Sequence, residues 1–153
     1  MNNPFIHLRS LSSYSLSEST LKITNLVDLA KKNNMPAIAI TDNNNMFGVF
    51  EFSKECVKNN IQPIIGTSIN LLDVVVNNQI SQVTFLVKNE IGYRNLLELS
   101  SLSHLNEGNN VGIYFSQLEK FSEGLFCYIG GELNLSLIHI SEPTRQEAIS
   151  YAV

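Results

Sequence analysis

Met35-Pro36-Ala37-Ile38-Ala39-Ile40-Thr41-Asp42-Asn43-Asn44-Asn45 is the stretch on which the fold turns. Pro36 disfavours a helical residue before it. The run from Ala37 to Thr41 is nearly all apolar, which suits a strand covered on both faces, as in a parallel sheet. Asp42 to Asn45 end it in a polar turn. Upstream, Leu26, Val27, Leu29 and Ala30 form the apolar face of a helix that Thr24 caps and that stops near Asn34. Downstream, a helix over residues 46–59 turns Phe47, Phe50 and Val57 inward, and Ile61-Gln62-Pro63-Ile64-Ile65-Gly66 is a further strand. Phe5-Ile6-His7-Leu8 reads as a short strand ahead of them, followed by a Ser-rich loop. Strand, helix, strand, helix, strand is the pattern of βαβ units.

Beyond Gly66 the pattern changes. Residues 71–76 and 83–87 are β-rich runs joined around Asn77-Asn78, which reads as a hairpin or meander. Residues 92–103 form a helix with a core stripe of Leu96, Leu97, Leu99 and Leu102. After a polar connection, Ser116 caps a short helix containing Leu118 and Phe121. Residues 125–129 are a buried strand closed by Gly130-Gly131.

The chain has 153 residues, a formal charge of −4 and 44% hydrophobic residues. That length suits one domain and excludes a complete polymerase or a full (β/α) barrel of roughly 250 residues. The acidic balance argues against a nucleic-acid surface built from this segment alone. No apolar run reaches the roughly 18 residues of a membrane span, and no export signal precedes the first strand. A reduced, cytoplasmic setting is therefore expected, with Cys56 and Cys127 as small buried hydrophobes rather than metal ligands. The recurrent Asn groups fall at element ends, where Asn suits turns and caps, and read as compositional drift.

Ligands of α/β sheets collect at the carboxyl ends of strands. Three segments end strands in this way: Leu8-Arg9-Ser10-Leu11, Thr41-Asp42-Asn43 and Gly66-Thr67-Ser68. Asp42 is the one acid among them, as a metal ligand, a general base or a turn residue bonded to backbone. His7, His104 and His139 are too scattered to form a metal cluster by themselves, and His104 suits the negative end of a helix. The glycines form neither a Walker loop nor a dinucleotide fingerprint.

His7-Leu8-Arg9-Ser10-Leu11-Ser12-Ser13-Tyr14-Ser15 resembles the opening motif of the polymerase-and-histidinol-phosphatase (PHP) domain. Met35 to Asp42 with Asn45-Met46-Phe47-Gly48 resembles its second motif, and Ile61 to Gly66 its third. Lys88-Asn89-Glu90, Gly92-Tyr93-Arg94-Asn95-Leu96 and Gly124-Leu125 continue in the order of the form carried by the alpha subunits of bacterial replicative DNA polymerase III. The resemblance spans about residues 5–134. It implies an α/β fold, a partial (β/α) barrel of PHP type incomplete at its C-terminal side, with a metal cleft at the carboxyl rim. Residues 1–135 are the expected N-terminal portion of that domain. Residues 136–153 resemble the translation of a sequencing adapter and are set apart as a doubtful tail.

Catalytic PHP proteins hold metals through His-x-His, Asp-His, a Glu after the third motif, and later His residues. Here those positions hold Arg9 and Leu11, Asp42 and Asn43, Ser68, and Gln82. A permanent cation and one carboxylate make a poor site for a transition metal. The expectation is that no residue of this segment is catalytic or ligates metal, that it needs no cofactor, and that Arg9 pairs with Asp42 in the metal's place. The resemblance further implies a parent polymerase using Mg, with its catalytic carboxylates in a later palm domain. Its implied partners are the rest of the alpha subunit, the proofreading exonuclease, and DNA through the parent protein, without a membrane. The alternative is a metal-dependent PHP phosphoesterase or 3′–5′ exonuclease. An incomplete barrel is also expected to expose strand edges and to be poorly soluble.

Overall fold

The computed structural model describes residues 5–76, 79–106 and 110–128, with residues 74–76 and 79 by their backbone alone. The elements run α1 (Ile23–Lys32), β1 (Ala37–Ile40), α2 (Val49–Lys58), β2 (Gln62–Val76), β3 (Gln79–Val87), α3 (Glu90–Leu105), α4 (Phe115–Lys120) and β4 (Leu125–Tyr128). They build a four-stranded sheet in the order β1-β2-β3-β4. The α/β class read from the sequence is therefore correct.

β1 pairs parallel with the start of β2, Ala37 opposite Gln62 and Ile40 opposite Ile65. From Gly66 onward β2 pairs antiparallel with β3, and β3 with β4. The expected hairpin is present, its turn at Asn77-Asn78 lying outside the described residues. The sequence suggested separate strands over residues 61–66 and 71–76; the chain makes one strand of 15 residues. Gly66-Thr67-Ser68 does not break it, because Thr67 and Ser68 pair with Phe85 and Thr84 and are fully buried.

The first segment departs from expectation in a smaller way. Residues 5–8 are not a regular strand. They still lie along the free edge of β1, where His7 O accepts from Ala39 N at 2.9 Å and Ser10 O from Thr41 N at 2.8 Å. Two bonds three residues apart on one side but two on the other cannot continue as a parallel ladder.

α1 buries Ile23, Leu26, Val27 and Ala30, leaving Leu29 48% exposed. It starts one residue before Thr24, with Lys22 at the N-cap and no side-chain cap, so burial of Ile23 rather than a hydroxyl fixes its first turn. α2 overturns the expected inner face: Phe47, Phe50 and Val57 are 72%, 81% and 68% exposed. Val49, Phe52 and Cys56 are buried instead. Both stripes have helical spacing, but the polar Glu51 and Lys54 flank Phe50 and Val57, and that side faces solvent.

Ile23, Val27, Ile38, Ile40, Phe52 and Cys56 form one core under α1 and α2. Ile69, Leu71, Val83, Phe85, Leu96, Leu99 and Ile113 form a second, with α3 and α4 packed on the sheet. Met46 touches both cores. Along β2 the core residues Ile65, Ile69 and Leu71 keep the alternation of a strand, so α1, α2, α3 and α4 cover one face of the sheet. The other face presents Ser68, Asn70, Gln82 and Thr84. β4 is half-buried rather than buried, and Ile129-Gly130-Gly131 lie outside the described residues.

α3 begins where Asn89 accepts from Gly92 N at 2.9 Å. Here the chain passes so close to the turn before β4 that a Cβ on Gly92 would lie 1.8 Å from Gly124 O. Gly124 itself has φ +74°, a conformation that glycine adopts without strain. α4 starts at Phe115, not beyond Ser116. Gln117 Oε1 accepts from Tyr114 N at 2.9 Å, and the Asp73 carboxylate of β2 accepts from Phe115 N at 3.0 Å. Among the described residues no helix is long and apolar enough to cross a membrane.

Candidate functional site

Parallel pairing of β1 with the first residues of β2 brings the carboxyl end of β1 to one rim with Gly66-Thr67-Ser68 of β2, and the segment beside β1 joins them there. The convergence expected of residues 8–11, 41–43 and 66–68 is real, and Asp42 lies at its centre. Its side chain is 2% exposed. Oδ1 accepts from Ser12 N at 2.7 Å and from Ser15 Oγ at 2.6 Å, and Oδ2 accepts from Ser12 Oγ at 2.6 Å. The two hydroxyls are themselves acceptors, Ser12 Oγ from Tyr14 N at 3.2 Å and Ser15 Oγ from Asn43 N at 3.1 Å. Asp42 O, finally, accepts from Thr67 Oγ1 at 2.7 Å and Ser68 N at 3.1 Å. One residue thus ties together all three segments of the rim.

The expected Arg9–Asp42 pair is not formed. Ser12 and Ser15 occupy the carboxylate, while Arg9 Nη2 donates to Gln82 Oε1 at 3.4 Å. Arg9 sits on the edge segment and reaches the polar sheet face, where Gln82 Nε2 in turn donates to Asn70 Oδ1 at 3.3 Å. Ser68 shares a hydrogen bond of 2.8 Å with Thr84 and is fully buried. Leu11 is half-buried and supplies no side-chain donor.

The Asn run after β1 is structural in detail, not drift. Asn44 takes φ 53°, accepts from Asn70 N through Oδ1 at 3.0 Å, and donates N–H to Ser68 O at 2.7 Å. Asn45 Nδ2 donates to Tyr14 O and Asn43 O, closing the turn. Asn43 Nδ2 donates to Glu18, and Asn43 Oδ1 is buried without a protein partner. His104, in the last turn of α3, reaches Asn44 O through Nε2 at 2.7 Å, a contact between distant segments that helix-end reasoning could not supply. His7 is exposed and stacks edge-on against Phe5, ring centroids 4.7 Å apart.

Outside the rim lies an open groove of about 740 Å³ lined by Tyr14, Leu16, Glu18, Asn43, Phe47 and His104 among others. Tyr14 donates to Glu51 Oε2 at 3.2 Å. That bond and the Glu51 charge hold the phenol above its ordinary pKa. Cys56 is fully buried and Cys127 half-buried, and burial raises both thiols to about 11.

Residues 7–151 match the PHP domain family. The chain belongs to it. The DNA polymerase III alpha subunit of Rickettsia felis is 40% identical over 148 residues, covering 93% of this chain and 12% of the relative. The alpha subunit of Borreliella burgdorferi is 39% identical over 137 residues, covering 80% of this chain and 12% of its own length. The chain therefore spans about an eighth of the curated relatives it matches. Among solved structures, an amidohydrolase from Chromobacterium violaceum aligns over 65% of this chain and 32% of its own at 16% identity, with a TM-score of 0.48.

PHP membership raises the question of a metal, and the donor set does not fit one. Among the described residues no three His, Cys, Asp or Glu side chains cluster closely enough to hold an ion. The six positions named from the motifs contribute a single carboxylate, and Ser12 and Ser15 already take three of its roughly four acceptor sites. Ser12 and Ser15 were not singled out in the sequence. Their signal was present in the opening motif, where both hydroxyls follow Arg9 and Leu11.

Proposed function

We propose that the chain is an N-terminal piece of a DNA polymerase III alpha subunit, and that this piece is a non-catalytic PHP scaffold in the cytoplasm. Its role is to stabilise the polymerase and to dock the proofreading exonuclease. The observation that carries the non-catalytic reading is the Asp42 carboxylate held by three hydrogen bonds from Ser12 and Ser15, the one acid among motif positions otherwise held by Arg9, Leu11, Asn43, Ser68 and Gln82. A metal-generated hydroxide needs open coordination positions beside several anionic or imidazole ligands. Identity near 40% to polymerase alpha subunits supports the parentage. DNA synthesis, DNA contact and Mg binding then belong to the rest of the parent protein.

The full chain, incubated with a phosphomonoester and with 3′-ended single-stranded DNA in Mn, Zn or Mg, is expected to hydrolyse neither. Turnover that disappears in Asp42→Ala would sink the scaffold reading and favour a metal-dependent phosphoesterase or exonuclease. Docking is checked by calorimetry between an alpha subunit carrying this segment and the purified exonuclease. Unchanged affinity after deletion of the segment would exclude it as the docking element.

A further inference from the structure

We propose that Ser12 and Ser15 form a hydroxyl clamp on Asp42 that holds the carboxyl rim together in place of a metal ion. The geometry is that of a closed unit. Three donors reach the two carboxylate oxygens at 2.6–2.7 Å, a length typical of charge-assisted hydrogen bonds. Each hydroxyl passes its own acceptor capacity to a backbone N–H, of Tyr14 and of Asn43, so neither oxygen of the pair is left unsatisfied. Ser12, Ser15 and Asp42 are at most 3% exposed, so water does not compete for these bonds.

The clamp joins what a shared ion would join. Ser12 and Ser15 belong to the loop after the edge segment, Asp42 ends β1, and its carbonyl fixes Thr67 and Ser68 in β2. A metal bound to this carboxylate would compete with two hydroxyls and an amide for its oxygens. The rim of this chain is therefore closed by its own donors and needs no ion to fold. The inference rests on the non-catalytic reading only in expecting no resident metal; the coupling between Asp42 and the two serines stands on the hydrogen bonds alone.

The test is a set of thermal melts and metal titrations on the full chain. Wild type is expected to melt at the same temperature with EDTA as with added Zn or Mn, and to give no stoichiometric heat of binding. Ser12→Ala and Ser15→Ala should each lower Tm by roughly 3–6 °C, and Asp42→Asn by roughly 6–10 °C, since each removes buried, charge-assisted bonds. Combining Asp42→Asn with Ser12→Ala should cost clearly less than the sum of the two, because they break the same bond. Additive losses would overturn the clamp while leaving the hydrolysis result, and the scaffold reading, untouched. Stoichiometric Zn or Mn binding that raises Tm would overturn it as well. If Asp42→Asn does not fold, the two serine variants and their double decide: losses near zero would refute a clamp, and losses of the stated size would uphold it.

Discussion

Along β1 and the first residues of β2 the strands run parallel and are linked by a helix; from Gly66 onward β2, β3 and β4 pair antiparallel. Parallel pairing returns the chain to the same end of the sheet each time. That is why the loops at Ser12 and Asp42 meet β2 at Ser68, and why the hydrogen bonds to Asp42 gather there. In the antiparallel half the strand ends alternate, and the polar contacts among the described residues are divided between the β2–β3 face, as at Asn70 and Gln82, and the junction of α3 with α4, as at Asn106 and Gln117. What is demanding there is fit: α3 and the turn before β4 approach so closely that two glycines face each other. One half thus concentrates hydrogen bonds at a rim and the other concentrates steric constraint at a seam.

Substitutions can break that comparison. Phe52 and Phe85 are the largest fully buried side chains of the two cores, one in each. Phe52→Ala and Phe85→Ala should each cost about 3–5 kcal/mol in urea melts. If the halves are one cooperative unit, both variants will show a single transition; two transitions in either would separate them. Gly92→Ala should cost about 3 kcal/mol, because the added carbon meets a backbone carbonyl that cannot rotate away. Asn89→Ala removes the α3 cap and should cost about 1 kcal/mol by the same measurement.

An alkaline limb sharpens the comparison further, since each core holds one thiol. Cys56 and Cys127 ionise near 11 in the folded chain against 9.0 when unperturbed. A raised folded value means the neutral thiol is favoured: the contribution is complete below pH 9 and fades as pH climbs toward 11. Cys56→Ala and Cys127→Ala should each flatten the fall of Tm between those pH values, compared with wild type. The smallest effect is expected for Phe50→Ser on the exposed side of α2, within about 0.5 kcal/mol.

The parallel half was the more legible in sequence. Ala37 to Ile40 could be read as a buried strand because continuous apolar runs have few other uses, and Asp42 stood out as the acid at its end. The phase of α2 could not be read, because two apolar stripes of helical spacing compete along residues 47–57 and only tertiary packing chooses between them. The length of β2 escaped notice because Gly66, Thr67 and Ser68 look like a terminator, and only the partner strand reveals that they are paired. At the rim, the motif segments include residues that come together around Asp42. They could not say that Asp42 would be taken by Ser12 and Ser15 and Arg9 by Gln82, since side chains of similar reach compete and distances decide.

β2 spans about 50 Å at the usual rise per residue, and both halves hydrogen-bond to it. Neither core can therefore lose its strand without exposing amides that the other also depends on. In deuterium exchange, the N–H groups of Ile65 and Ile69, one on each side of the change in strand direction, should open together through global unfolding, while α4 and the edge segment before β1 exchange through local fraying.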